Sequence, residues 1–228
     1  MKHFAIAIDG PSGAGKSSLA KSAAERLGIL YVDTGAIYRT VGLYIRRVGA
    51  EPTDAAQVTA HLGEIHIDLR FLSDGQHLLL NGEDVSKEIR LPEISMYASA
   101  VSAHGAVRDF LMEQQRSLAR EHCVIMDGRD IGTVVLPEAE LKVFLTADAE
   151  ERARRREKEL LARGTPQPFA DILAEMKTRD YNDSHRAVAP LKRAEDAVLL
   201  DTTGMDIAES ETALLHLIEE RLGVTPCR

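Results

Sequence analysis

Short apolar runs recur along the chain at Phe4–Asp9, Ile29–Val32, Cys123–Met126, Leu141–Leu145 and Ala197–Leu200, each bounded by polar residues or glycine. They are too short for helices and too continuously apolar for strands with one wet face, so they predict strands buried on both faces, as in a parallel α/β sheet. Between them apolar positions recur with helical spacing. That spacing predicts helices over Lys16–Leu27, Gly35–Val48, Ala55–Leu62, Pro92–Glu121, Ala149–Arg163, Phe169–Arg186 and Ile207–Leu222. Gly28 follows the first helix where a left-handed stop is expected, and Pro92 fits a first helical turn.

One stretch breaks the alternation. In Ile65–Val85, Ile67, Leu69 and Phe71 alternate with Asp68 and Arg70, and Asp74-Gly75 and Asn81-Gly82 supply two turns. The pattern predicts a small antiparallel meander, inserted between helices, with one face in water. Periodicity alone leaves it either a flap or a substrate-gripping element. Gly164-Thr165-Pro166-Gln167-Pro168 forms a turn cluster between two helices and is the expected hinge. No repeat of fixed period and no low-complexity linker interrupts the chain.

Composition narrows the function classes. With 228 residues, the chain is long enough to bury its own core, read as one core with insertions. The formal charge of −8 argues against a broad nucleic-acid coat while permitting local basic pockets. Cys123 and Cys227 are far apart and without metal-ligand spacing, so neither a disulfide framework nor a zinc site is indicated. The chain enters a strand at once without a signal-peptide pattern, and no apolar run approaches membrane-spanning length. These features predict a soluble, cytoplasmic protein with no membrane or nucleic-acid partner.

The chemistry is concentrated behind the first apolar run. Gly10-Pro11-Ser12-Gly13-Ala14-Gly15-Lys16-Ser17 is a complete phosphate-binding loop between a predicted strand and a predicted helix. Its glycines let backbone N–H groups close around the α- and β-phosphates of a nucleoside triphosphate. Lys16 reaches toward the β- and γ-phosphates, and the Ser17 hydroxyl is placed for Mg2+. The loop says nothing of the acceptor.

Four other clusters bear on the acceptor. Asp33-Thr34-Gly35-Ala36-Ile37-Tyr38-Arg39 lies where the second strand hands over to a helix, with Thr34 either a cap or a ligand. Asp127-Gly128-Arg129-Asp130-Ile131-Gly132-Thr133 ends the third apolar run and brings two carboxylates and a guanidinium beside the phosphate loop. Arg179, Asp183 and Arg186 are spaced to share one helical face, either as a surface ion-pair ladder or as a site. Asp148-Ala149-Glu150-Glu151 reads as a capping box opening a helix whose Arg152, Arg155 and Arg156 share a face. That helix is either ordinarily charged or an arm that carries arginines onto transferring phosphates.

Taken together, IDGPSGAGKS at 8–17, DTGAIYR at 33–39, GEDVSKEIR at 82–90, DGRDIGT at 127–133 and RDYNDSHRAVAPL at 179–191 resemble the bacterial cytidylate kinases, within the nucleoside monophosphate kinases. The resemblance spans nearly the whole chain. It implies a three-layer α/β phosphate-loop fold with a central five-stranded parallel sheet, an acceptor-binding arm carrying the antiparallel insertion, and a short helical lid. The implied division is a core of 1–33, 122–147 and 187–228, an acceptor region of 34–121 with the meander at 64–90, and a lid with its following helix at 148–186.

The activity implied is transfer of the γ-phosphoryl group of Mg-ATP to CMP or dCMP; the chain is expected to be a monomer. ATP would be held by Gly10 through Ser17 together with Ser18. Thr34 matches the hydroxyl position of the D-[ST]-G motif among the CMP-binding residues, Arg39, Arg129 and Arg186 match acceptor-phosphate ligands, and Ser99, Arg108 and Asp130 match cytosine-reading positions, with Ser102 a rival register to Ser99. Arg179 and Asp183 match the residues that hold the sugar hydroxyls. Lys16, Arg129, Arg186, Arg152 and Arg156 are the catalytic cations. Asp127 stands either near Mg2+ and its waters or as a structural carboxylate. The acceptor phosphate is ionised near neutral pH, so no general base is required. A switch GTPase lacks support because no Asn-Lys-x-Asp segment is present, and the intact Lys16, Ser17 and arginine set argue against a silent nucleotide-binding regulator. A UMP/CMP or shikimate kinase is the nearest alternative within the fold.

Overall fold

The computed structural model describes residues 3–72, 75–162 and 164–224; Asp74, Arg163 and Cys227 of the sequence reading lie outside them. Strands β1 (Ala5–Asp9), β2 (Leu30–Asp33), β6 (Val124–Gly128), β7 (Leu141–Thr146) and β8 (Val198–Asp201) form one five-stranded sheet in the order β2-β6-β1-β7-β8. The pairings of β1 with β6, of β1 with β7 and of β7 with β8 are parallel. Because β1 lies at the centre, every side chain along it is buried, which accounts for its apolar residues Ala5 to Ile8. The described residues form two compact units: those within 1–31 and 119–228, and those within 32–118.

In the first unit, helices α1 (Lys16–Leu27) and α8 (Ile207–Leu222) match the predicted limits. Their Leu19, Ala20, Ala23, Leu214, Leu217 and Ile218 close over Ile6, Ile8, Leu141, Val143 and Leu145 of the sheet. Gly28 ends α1 at φ 65°, as its position predicted. Helix α8 opens on a capping box between Asp206 and Glu209 that the sequence reading passed over. Helices α6 (Ala149–Ala162) and α7 (Phe169–His185) have a small core of their own, built from Ala153, Leu160, Ile172 and Met176.

The capping box predicted at 148–151 does not form. Asp148 Oδ1 accepts from Glu150 N at 2.8 Å and its own N–H goes to Thr203 Oγ1, while Glu151 turns to Arg155. A tertiary partner for the Asp148 N–H has displaced the local one. Arg186 falls just beyond α7, in extended backbone, so the predicted helical face of three residues is cut to Arg179 and Asp183.

In the second unit, α2 (Thr34–Arg47) packs against α4 (Pro92–Val101), with α3 (Ala55–His61) and the meander β3 (Ile67–Leu72), β4 (Gly75–Leu80) and β5 (Glu83–Asp84) beside them. The single helix predicted over 92–121 is two, α4 and α5 (Gly105–Glu121). The break is held by side chains: Arg108 Nη1 donates to Ser102 O at 3.0 Å, and the His104 ring bonds Pro52 O at 2.8 Å. Apolar spacing runs through the break, so only Gly105 hinted at it. The meander's alternation also fades. Ile67 is buried and Leu69 half-buried, but Phe71 and Leu72 are exposed, whereas Leu78, Leu79 and Leu80 are all buried at the near end of β4.

Candidate active site

The phosphate loop leaves the C-terminal end of β1 and runs into α1. Its shape depends on glycine where the chain turns back on itself. A Cβ on Gly10, at φ 152°, would sit 1.9 Å from Leu145 O, and one on Gly13, at φ 72°, would meet the Met176 methyl at 2.5 Å. Lys16 is buried at the start of α1, and its Nζ donates to Pro11 O at 2.7 Å, across the loop. Burial drives its ammonium well below the usual lysine range; Arg129 and Arg179 push the same way, against Asp127 and Asp9. A polyanion bound in the loop reverses that balance.

Ser17 Oγ donates to Asp127 Oδ2 at 2.9 Å, and Tyr31 Oη donates to the other oxygen at 3.0 Å. A hydroxyl and a carboxylate side by side at a phosphate loop are hard oxygen donors of the kind Mg2+ takes alongside phosphates. Among the described residues no group of three or more His, Cys, Asp or Glu could hold a metal ion.

The end of β6 carries Arg129 and Asp130. Arg129 Nε donates to Asp183 Oδ2 at 2.8 Å, and Arg186 lies 3.5 Å from Asp130 Oδ1 while donating to Ala189 O at 2.7 Å. Burial alone would raise the Asp183 carboxyl, but Arg129, with Arg179 and Arg186 behind it, holds it below its ordinary value. Arg152, buried on α6, donates to Ser12 O at 2.8 Å and pairs with Asp180 at 2.7 Å, while Asp180 also accepts from Ser12 N at 3.3 Å. Arg156 pairs with Glu159 at 2.8 Å, and Arg155 bonds Thr202. The α6 arginines therefore differ: Arg152 touches the phosphate loop, whereas Arg156 rests in a surface pair.

In the second unit, α2 starts at the DTG turn. Asp33, not Thr34, is its cap: Asp33 Oδ1 accepts from Ala36 N at 2.9 Å and Oδ2 pairs with Arg90 at 2.9 Å. Thr34 is the first helical residue and is buried. Burial would raise Asp33, yet Arg90 and Arg39 overcome it and hold the carboxyl low. Arg108 is buried beneath Tyr38, its guanidinium carbon 5.5 Å from the ring centre. Ser102 Oγ donates to Ser99 O at 2.9 Å, and Ser99 itself is half-buried.

Residues that the sequence reading did not single out include Asp9, Tyr31, Gln76, Arg90 and Asp180. Asp9 is the polar end of an otherwise apolar strand, and its two oxygens accept from Ile131 N and Gly132 N, each at 2.7 Å. It fixes the turn that follows Asp130. Arg90 closes the GEDVSKEIR segment, and Asp180 follows Arg179 directly, so both lay inside recognised motifs without a cue to their partners.

Asp9 also sets a pH dependence. Burial drives its carboxyl up from 3.8 to about 6, against the pull of the Gly132 and Ile131 amides; Asp130 adds to the rise and Lys16 opposes it. A carboxyl whose folded value is raised contributes stability that is full below its unfolded value and lost as pH rises through about 6. The unfolding free energy of the wild type relative to Asp9→Asn is therefore expected to fall by about 2–3 kcal/mol between roughly pH 4 and pH 7. Denaturant titrations across that range check it, and a pH-independent difference contradicts the assignment.

Such a gathering of cations around a buried lysine, at the end of the central strand of a parallel sheet, places the chain among the P-loop phosphotransferases. The chain belongs to the cytidylate kinase family: the model described as Cytidylate kinase matches residues 6–220. It is 48% identical over 217 residues to a cytidylate kinase of Caldicellulosiruptor bescii, covering 95% of this chain and 96% of that one. It is 46% identical over 224 residues to one of Mycobacterium leprae, covering 98% and 99%. Among solved structures, an uncharacterized protein from Eubacterium ventriosum is similar in fold, with a TM-score of 0.51 at 14% identity over 96% of this chain and 100% of that one. Among the described residues no helix is long and apolar enough to cross a membrane.

Proposed function

We propose that this chain transfers the γ-phosphoryl group of Mg-ATP to the phosphate of CMP or dCMP, giving ADP and the pyrimidine nucleoside diphosphate. The observation that carries the reading is the end of β6, where a buried carboxylate, Asp130, stands beside Arg186 and next to Arg129, on the strand adjoining the one that delivers the phosphate loop. Arginine forks suit a phosphate, and a carboxylate suits the exocyclic amine of cytosine.

In this reading residues 10–18 hold ATP, and Lys16 neutralises charge on its terminal phosphates. Ser17, with Asp127 behind it, would hold Mg2+, which would supply positive charge to offset that of the phosphates. The acceptor oxygen is already ionised, so what remains is alignment and charge stabilisation, supplied by Arg129, Arg186 and, from the lid, Arg152 and Arg156. Arg156 must leave Glu159 to take part; an exposed pair of that kind is worth at most about 1 kcal/mol, a small barrier.

Arg179 and Asp183 are assigned to the sugar hydroxyls, Thr34 and Arg39 to the acceptor phosphate, and Ser99, Arg108 and Asp130 to the base. Ser102 directs its hydroxyl to Ser99 O, which favours Ser99 in this role. The functional division is a core of 1–33, 122–147 and 187–228, an acceptor region of 34–121 and a lid region of 148–186, in a cytoplasmic monomer without nucleic-acid or membrane partners.

Base reading supplies the test. Uracil presents a carbonyl where cytosine presents an amine, so a carboxylate there faces a second acceptor. Asp130→Asn offers an amide that serves either base. The ratio of kcat/KM for CMP over UMP is expected to fall roughly 10- to 100-fold, the size of one lost charged hydrogen bond. Steady-state kinetics with both acceptors measure it; an unchanged ratio removes Asp130 from the base site.

A further inference from the structure

We propose that the antiparallel insertion acts on the acceptor-phosphate end of the second unit through Gln76 and Arg90, which position Asp33 and, through it, Thr34 and Arg39. The inference rests on the assignment of Thr34 and Arg39 to the acceptor phosphate and names what holds them.

The contacts converge on one residue. Gln76, on β4, accepts from Asp33 N at 2.8 Å with its Oε1 and donates to Asp33 O at 3.4 Å with its Nε2, so one side-chain amide clamps both sides of Asp33's backbone as a neighbouring strand would. Arg90, in the single helical turn Glu88–Arg90 that follows the meander, holds the Asp33 carboxylate at 2.9 Å. The remaining oxygen of that carboxylate caps α2 through Ala36 N. Asp33 therefore decides where α2 begins, and Thr34 is its first residue.

Arg39 lies close enough to the same carboxylate for its charge to act on it. A Cβ placed on Gly35 would lie 3.2 Å from Asp33 Oδ1 and 3.3 Å from Arg39 Nη1, so the guanidinium folds back over Gly35 to the start of α2 beside Asp33. Arg90 and Arg39 are the two charges that keep this buried carboxyl ionised. With Arg90 gone, Asp33 would turn to Arg39 as its main counter-charge, drawing that guanidinium away from an incoming phosphate.

The insertion is anchored at its other edges too. Gln114 Nε2 on α5 donates to Ile67 O of β3 at 2.7 Å, and Arg47 at the far end of α2 pairs with Glu83 and Glu88. It is thus tied to α5 and along α2. Gln76 and Arg90 are positioning residues: neither is assigned to the acceptor itself.

The test is steady-state kinetics on Gln76→Leu, Arg90→Met and Arg90→Lys, varying CMP and Mg-ATP separately, with circular-dichroism melting as a fold control. Arg90→Met is expected to raise the KM for CMP about tenfold or more and to leave the KM for ATP within about twofold, with Arg90→Lys recovering part of the loss. Gln76→Leu should raise the KM for CMP roughly three- to tenfold, and much less in a Thr34→Val background, because both changes act on one seat. A folded Gln76→Leu protein with its KM for CMP unchanged overturns the inference even if Arg90→Met fails to fold. Equal rises in both KM values overturn it as well, since they mark a general structural defect. Should the wild type turn over an acceptor other than CMP, the acceptor assignment fails, and the inference is decided on the KM of that other acceptor.

Discussion

Lys16→Met is expected to lower kcat by about a thousandfold or more while leaving the fold in place. The two halves of that expectation come from the same observation. Lys16 is buried, and burial together with Arg129 and Arg179 works against its charge in the ligand-free protein. Replacing a disfavoured buried ammonium by an apolar chain of similar length removes a desolvation penalty, at the loss of its bond to Pro11 O. The net change in stability should stay within about 1–2 kcal/mol. With triphosphate bound the balance is opposite, because the ammonium then neutralises charge that nothing else in the loop can match. Thermal melting and single-turnover transfer measure the two halves, and substantial retained transfer would contradict the role given to the loop.

Arg129→Met is expected to damage both stability and acceptor use, and the two are separable. Asp183 is buried and takes the Arg129 Nε at 2.8 Å, so the substitution leaves a buried carboxylate without its nearest counter-charge. That should cost about 3 kcal/mol at neutral pH. The sign with pH follows from Asp183, whose carboxyl is held below its ordinary value against burial. Stability of that kind is present above the unfolded carboxylate value and lost as pH falls through the folded one, so the penalty of Arg129→Met is largest near pH 7 and shrinks toward acid. The kcat/KM for the acceptor should fall about a thousandfold through loss of a phosphate ligand. Adding Asp183→Asn should restore most of the stability and none of the activity. Denaturant unfolding at two pH values and steady-state kinetics check both, and restored activity in the double variant would reassign Arg129 to a purely structural role.

Much of this architecture is legible in the sequence because it is set locally. The central strands β1, β6 and β7 appear as apolar runs and are largely buried, whereas β8, at the edge of the sheet, leaves Leu199 exposed; Lys16–Leu27 and Ile207–Leu222 keep their predicted limits, and the phosphate loop turns on glycines at positive φ. The misses share a cause, a distant partner overriding a local preference. The helix over 92–121 breaks because a buried Arg108 takes the Ser102 carbonyl, and the box at 148–151 fails because Thr203 takes the Asp148 amide. Of the two roles left open for Thr34, the cap falls to Asp33, whose carboxylate Arg90, far along the chain, supports.

The site follows the same rule. Its motifs are readable as runs, but the links that hold them, Asp9 to the turn after Asp130 and Arg152 to the Ser12 carbonyl, join residues more than a hundred positions apart. Periodicity carries no information at that range. Residue type does: a carboxylate ending an apolar strand and an arginine on a buried helical face are each costly without a partner, and each has one here.

The most direct measurement of the central claim is ADP release by the wild-type protein with Mg-ATP, run in parallel with CMP, dCMP, UMP, AMP, shikimate and no acceptor. Rapid turnover with CMP and dCMP, much slower turnover with UMP and none without acceptor is the predicted result. Turnover on a different acceptor, or hydrolysis that proceeds without one, would contradict it.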